Sequence, residues 1–175
     1  DNKSESLNAA VYGGAVYAGY NMNIEGNKSV LITGNKAIAS TLAYGGAIYG
    51  GQNVTLSNND EVVIRGNYEK HGDSYRMRSI YSLGTLSMST QENQTISIYD
   101  SVYAGAALNI SASGLVQLSG EYIASDLNQV KSGAVTIEEL IASRTSIVEG
   151  PTVQWGSGIF SIQQGAILRT EGDLV

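Results

Sequence analysis

The feature that most constrains this chain is an internal repeat that needs no gap. Gly13-Gly14-Ala15-Val16-Tyr17 returns as Gly45-Gly46-Ala47-Ile48-Tyr49, a constant step in the numbering (45 − 13 = 32). At the same offset Asn21-Met22-Asn23-Ile24 falls on Asn53-Val54-Thr55-Leu56. Val30-Leu31-Ile32-Thr33-Gly34-Asn35 likewise falls on Val62-Val63-Ile64-Arg65-Gly66-Asn67. A repeat of this kind describes a structural unit that buries its apolar side against its own copy.

Within each copy, three short apolar stretches alternate with turns rich in Gly and Asn. In the first copy they are Ala15-Val16-Tyr17, Met22 to Ile24 and Val30 to Ile32. Their length and β-branched content predict short strands. Turns such as Glu25-Gly26-Asn27-Lys28 suit residues that tolerate left-handed backbone. A third copy is degenerate: Ile80 keeps the register (80 − 48 = 32), as does Leu86 (86 − 54 = 32). The double glycine is gone, with Arg78 and Ser79 in its neighbourhood, and the last strand slips to Ile96-Ser97-Ile98 (98 − 64 = 34). The charged segment Tyr68 to Arg78 is expected to protrude as a loop. After Tyr103 the apolar stretches follow at shorter intervals, through Val116-Gln117-Leu118, Val153-Gln154-Trp155 and Ile159 to Ile162. Glu138 to Ala142 allows a short helical turn.

Short strands and regular turns could also build a sandwich. The ungapped repeat favours a stack, because equivalent residues then land above one another and match in kind: Val16 with Ile48, Ile32 with Ile64, Asn21 with Asn53, Asn35 with Asn67. Neighbouring strands lie about 4.8 Å apart, so aliphatic side chains would fill a narrow core and amides would bond along the axis. The expected fold is therefore all-β, a right-handed, single-stranded parallel β-helix (solenoid) of about six or seven coils. Residues 1–10 are expected to be a flexible lead-in and residues 11–175 the β-helix, with the long GGA repeats over 11–103 and shorter coils over 104–175. Open ends of such a stack invite self-association or pairing with another chain.

Composition narrows the function. A net charge of −6 opposes nucleic acid or an anionic membrane surface as partner. There is no Cys, so a secreted chain of this kind would draw stability from a hydrogen-bonded ladder and not from disulfides. The chain begins at Asp1, without Met or a signal peptide, and reads as an excised piece of something longer. His71, the single histidine, has Glu69, Asp73, Tyr75 and Arg76 close in sequence and reads as a solvated side chain. It has no second His and no Cys for a metal site, and no nucleophile motif for a triad. The acids Glu25, Asp60, Glu61, Glu92, Asp100 and Glu121 do not recur as a pair at coil spacing, so paired-carboxylate catalysis has no support. No cofactor, catalytic residue or metal ligand is assigned. Tyr17, Tyr49 and Tyr81 share one register and predict an outer ladder, or else a face for sugar or protein.

The two motifs together resemble a known family. Gly13-Gly14-Ala15-Val16 and Gly45-Gly46-Ala47-Ile48 alternate with Ile32-Thr33-Gly34-Asn35 and Ile64-Arg65-Gly66-Asn67. This resembles the paired GGA(I/L/V) and FxxN tetrapeptides of chlamydial polymorphic outer-membrane proteins, with Ile in place of Phe. Ile98-Tyr99-Asp100-Ser101-Val102 resembles a degenerate FYDPI-type segment that follows such repeats. The resemblance spans about residues 11–103. It implies an autotransporter passenger on a bacterial cell surface, at the outer membrane or secreted, acting as a non-enzymatic adhesin toward a host or neighbouring-cell receptor or glycan. It also makes Gly13, Gly14, Ala15, Val16, Ile32, Asn35, Gly45, Gly46, Ala47, Ile48, Ile64 and Asn67 the candidate binding set. The plainer reading of the same residues is that Gly-Gly-Ala forms a tight corner and Asn a ladder. A carbohydrate-active or glycan-binding β-helix, and a purely structural stalk, are the alternatives.

Overall fold

The computed structural model describes the backbone of residues 1–124, 127–130, 134–142 and 160–170, and side chains through residue 118 except 112. The chain is all-β, a parallel β-solenoid, with no helix among the described residues. The first turn runs through β1 (Lys3–Ser6), β2 (Val11–Tyr12), β3 (Val16–Ala18), β4 (Met22–Glu25) and β5 (Val30–Thr33). The second repeats it as β6 (Lys36–Ala39), β7 (Ala43–Tyr44), β8 (Ile48–Gly50), β9 (Val54–Ser57) and β10 (Glu61–Arg65). The third is β11 (Tyr68–His71), β12 (Ser74–Arg76), β13 (Arg78–Ser82), β14 (Leu86–Thr90) and β15 (Thr95–Ile98). These make about three turns of solenoid. Beyond them β16 (Ser101–Ala104), β17 (Leu108–Ala112), β18 (Leu115–Ala124), β19 (Leu127–Val130), β20 (Ala134–Ala142) and β21 (Phe160–Thr170) add to the same sheets.

Every described pairing between turns is parallel, and the registers are those the repeat predicts. Val16 pairs with Ile48 and Ile48 with Ile80; Val54 pairs with Leu86; Ile32 pairs with Ile64 and Ile64 with Ile98. Inward residues therefore form columns such as Ile24–Leu56–Met88–Ile110 and Val30–Val62–Ile96–Val116. Ile48, Leu56, Ile64, Ile80, Leu86, Ile98 and Leu118 are fully buried in one continuous core. Each such side chain contributes about 1.5–3 kcal/mol by leaving water. After β13 the period contracts: Ile80 pairs with Val102 (102 − 80 = 22), and Val102 pairs with Tyr122 (122 − 102 = 20).

Several expectations need correction. A full-length turn holds five strands and not three, because β6 and β7 form a second small core in which Ala37 and Ala39 meet Val11 and Ala43. Alanine has little strand preference on its own, and here the pairing of β6 with β1 and β11 decides the strand. Strand structure starts inside the expected lead-in, since β1 pairs in register with β6 from Lys3↔Lys36 to Ser6↔Ala39. Tyr68 to Arg78 is not a protruding loop. Its first part, β11, stacks on β6, and β12 folds back on β11 as the one antiparallel pair among the described strands. That hairpin ends the sheet, where the turn contracts, in a short, exposed edge strand that carries Arg76, a way of blunting an edge. Glu138 to Ala142 is strand, not helix: β20 pairs with β18 from Ala134 to Ala142, and this pairing overrides local helix preference. Val153-Gln154-Trp155 lies outside the described residues.

Candidate functional site

The repeated motifs explain themselves once the turn is traced. Gly13 and Gly45 hold φ of 68° and 67°, a left-handed shape that a side chain would strain. Gly14 and Gly46 lie where the turn is pinched between its two lobes. A Cβ on Gly14 would strike the backbone of Gly46 and Lys36, and one on Gly46 the backbone of Tyr68. The next two residues, Ala47 and Ile48, then enter the core. Gly34 and Gly66 take φ of 70° and 66°, which turns the chain so that the following Asn points along the axis.

Those asparagines form a ladder. The backbone N–H and Nδ2 of Asn35 both donate to Asn67 Oδ1, at 3.0 and 2.8 Å. Asn2 donates in the same way to Asn35 Oδ1 at 2.8 and 3.0 Å. Asn67 donates to Asp100 Oδ2 at 2.9 and 3.0 Å, and Gly66 N–H donates to Asp100 Oδ1 at 2.8 Å. The carboxylate accepts and cannot donate, so it ends the run. A second ladder, Asn21–Asn53–Thr85, and a third, Asn27–Asn59, mark two other corners.

Of the twelve candidate binding residues, Gly13, Gly14, Asn35, Gly45, Gly46, Ala47, Ile48, Ile64 and Asn67 are buried and Ile32 is half-buried. Only Ala15 and Val16 are exposed, at the first turn. The set is brought together as corner, core and ladder, and its buried members offer no surface to a partner.

A row of tyrosines runs along one flank of the stack, with Tyr17 exposed, Tyr81 and Tyr103 half-buried and Tyr49 buried. Tyr17, Tyr49, Tyr81 and Tyr103 stack ring on ring, with centroids 5.5, 5.9 and 4.4 Å apart. Tyr12 and Tyr44 form a parallel pair at 5.5 Å, and Tyr12 meets Tyr49, as Tyr44 meets Tyr81, edge-on at 4.7 Å. Burial, then Tyr12, Tyr17 and Tyr44 around it, raise the Tyr49 phenol; burial, then Tyr103 and Tyr44, raise that of Tyr81. Both phenols stay protonated at neutral pH.

Where the turn contracts, an ion pair joins this row to the ladder side. Glu69 stands at the Ala37 position (69 − 37 = 32) and Arg78 at the Gly46 position (78 − 46 = 32). Arg78 Nη1 lies 2.9 Å from Glu69 Oε1, with both side chains buried, and Gly45 N–H donates to Glu69 Oε2 at 3.0 Å. The Arg78 guanidinium rests over the Tyr81 and Tyr103 rings at 5.5 and 5.6 Å. Its Nε has no hydrogen-bond acceptor, and the two aromatic rings lie beside the cation. Sequence reasoning missed this pair; the signal was two changes to charged residues at one offset from Ala37 and Gly46.

Burial raises the Glu69 carboxyl above its usual 4.5, and Arg78, the Gly45 N–H and Arg76 only partly oppose it. The folded chain therefore holds this proton more tightly than the unfolded chain. The contribution of Glu69 to stability is full below the ordinary carboxyl value and is lost as pH rises through the folded one. Thermal melts from pH 4 to 7 should show this decline, and Glu69→Gln, which keeps an acceptor for Gly45, should remove it. A decline unchanged in Glu69→Gln would contradict the assignment.

Among the described residues no group of three or more His, Cys, Asp or Glu could hold a metal ion. No described helix is long and apolar enough to cross a membrane. Comparison with family models, curated proteins and solved structures finds no match to this chain.

Proposed function

We propose that the chain is part of a surface-exposed bacterial autotransporter passenger, a non-enzymatic adhesin or interaction scaffold that binds a host or neighbouring-cell receptor or glycan. The stack is right-handed and single-stranded and extends through β18, β20 and β21 to about six or seven coils. The observation that carries this reading is the tyrosine row, which lines an elongated face of a rigid parallel stack. Tyr17 is exposed and Tyr44, Tyr81 and Tyr103 are half-buried, so the outer edges of these rings are what a partner can meet. The motif residues are engaged in building turns, and two of the acids are engaged structurally: Glu69 with Arg78 and Asp100 with the Asn67 amide. That favours an extended binding face over a catalytic cleft. The net charge of −6 favours a partner that is not nucleic acid.

Binding of the labelled full chain to cultured cells, before and after glycosidase treatment, tests this. Saturable binding is expected, weakened about tenfold by Tyr44→Phe with Tyr103→Phe, which keeps the rings and removes hydroxyls. Absence of saturable binding by folded chain would favour a stalk, and turnover of a polysaccharide would favour an enzyme; either overturns the reading.

A further inference from the structure

The outer face of the small lobe differs in charge from the chain as a whole. Alternation along β6 and β11 turns Ala37, Ala39 and Glu69 into the lobe and leaves Lys36, Ile38, Tyr68 and Lys70 outside. Parallel pairing sets Lys36 beside Tyr68 and Ile38 beside Lys70. The hairpin then sets Tyr75 beside Lys70, and directly opposed residues share a face. Two lysines and two tyrosines therefore occupy one patch across β6, β11 and β12. The patch is the face of a sheet and not its edge, so the stacking of turns does not use it.

Its own contacts order the patch. The Tyr68 and Tyr75 rings meet with centroids 4.7 Å apart, tilted by 40°. The Lys36 ammonium lies over the Tyr68 ring, 5.6 Å from its centroid. The Tyr75 hydroxyl donates to Met77 Sδ at 2.9 Å, which restrains a ring whose residue is 55% exposed. Among the described residues neither Lys36 nor Lys70 has an ion pair. The acids around them are placed elsewhere. Glu69 faces into the lobe, to Arg78. Glu5, which pairs in register with Ile38, is held by Lys3 at 2.6 Å. Asp73 is exposed at the tip of the hairpin.

In a chain of net charge −6 this is a local excess of positive charge. The chain as a whole repels a polyanion, and this face admits one, which fixes where it binds. An exposed tyrosine beside two unpaired lysines suits a sugar chain whose rings carry carboxylate or sulfate. The C–H side of a sugar packs on the aromatic ring, and the anions meet the ammonium groups. A nucleic acid needs a longer basic track with open stacking platforms, and here Lys36 covers Tyr68. We infer that the outer face of β6, β11 and β12 binds an acidic polysaccharide through Lys36, Lys70 and Tyr75. The inference goes beyond the adhesive reading, since it concerns the lobe and not the tyrosine row, and purified glycan tests it without cells.

Titration of the full chain with heparin, which carries sulfate and carboxylate, and with hyaluronan, which carries carboxylate alone, should show saturable binding to at least one. Uncharged dextran should not bind. Binding to heparin alone would identify sulfate as the group recognised, and binding to both would identify carboxylate. Lys36→Gln with Lys70→Gln should weaken binding about tenfold, and Lys36→Arg with Lys70→Arg should retain it. Tyr75→Ser should weaken it about fivefold. Lys28→Gln, at the exposed turn between β4 and β5, should leave it unchanged. No binding to either glycan would overturn the inference, as would an equal loss in Lys28→Gln or full affinity in Tyr75→Ser. Equally tight binding of polyglutamate or single-stranded DNA would also overturn it, by making the face a general site for polyanions. Should the double glutamine variant fail to fold, Tyr75→Ser and Lys28→Gln decide.

Discussion

Gly46→Val is expected to cost about 4 kcal/mol of folding stability, among the largest effects of any single change in this chain. The added side chain has nowhere to go, because its first carbon already meets the backbone of Tyr68. Backbone cannot rotate aside as a side chain can, so β11 would have to leave β6 or the corner would have to open. In a stack held by neighbouring contacts, the loss falls on the junction of the second and third turns. The contrast with Gly26 isolates the cause. Gly26 has a φ of 70°, but a Cβ added there would meet no atom within 4 Å. Gly26→Ala should cost only about 1 kcal/mol, the strain of the left-handed shape. Gly26→Asn should cost less still, since Asn58 and Asn93 take that shape with φ of 54° and 66°. Chemical denaturation of the three variants measures all of this. Equal losses at Gly46 and Gly26 would show that flexibility, and not close approach, is what the corner requires.

Asn67→Leu is expected to be about as damaging, near 4 kcal/mol, although leucine is close in size and more apolar. Asn67 is fully buried, and its amide serves the turn before it and the turn after it. Leucine would strand the Asn35 N–H and Nδ2 and would take one donor from the carboxylate contact at Asp100 Oδ2. Each buried group left unpaired costs about 1–3 kcal/mol, more when charged. Asn53→Ala, at an exposed corner with a similar amide contact to Asn21, should cost about 1 kcal/mol because water replaces the partner. Denaturant midpoints for the two variants distinguish a buried ladder from a decorative one. If Asn67→Leu proves neutral, the ladder does not hold the turns.

How far the sequence discloses this architecture depends on which force decided each element. The constant offset between copies carried the stack, because aliphatic columns and amide ladders demand identical side chains at identical positions; Ile48 over Val16 and Asn67 over Asn35 are read directly from the repeat. The strand at Lys36–Ala39 was not legible, since an alanine-rich segment carries no strand signal of its own and only its pairing with β1 and β11 makes it one. Tyr68–His71 was hidden by its charge. Glu69 can be buried there only because Arg78 reaches it from the degenerate corner. Asp100 escaped notice as a ladder residue because one position is lost from the motif: Asn67 follows Ile64 by three, while Asp100 follows Ile98 by two. The tyrosine register at Tyr17, Tyr49 and Tyr81 was legible, but its extension to Tyr103 was not, because the step between the last two had shortened (103 − 81 = 22). The binding set was the least legible part. Repetition marks what a stack needs for its own assembly, and the residues that repeat best are the ones it buries.

The central claim is that successive turns lie parallel and in register, joined through the asparagine ladder. Hydrogen-bond scalar couplings in an isotope-labelled full chain test it most directly. The account predicts correlations from the Asn35 backbone amide to the side-chain carbonyl carbon of Asn67, and from the Asn67 amide to the carboxyl carbon of Asp100. Absence of both, with cross-strand contacts between adjacent segments running antiparallel, would place the same strands in a sandwich and contradict the solenoid.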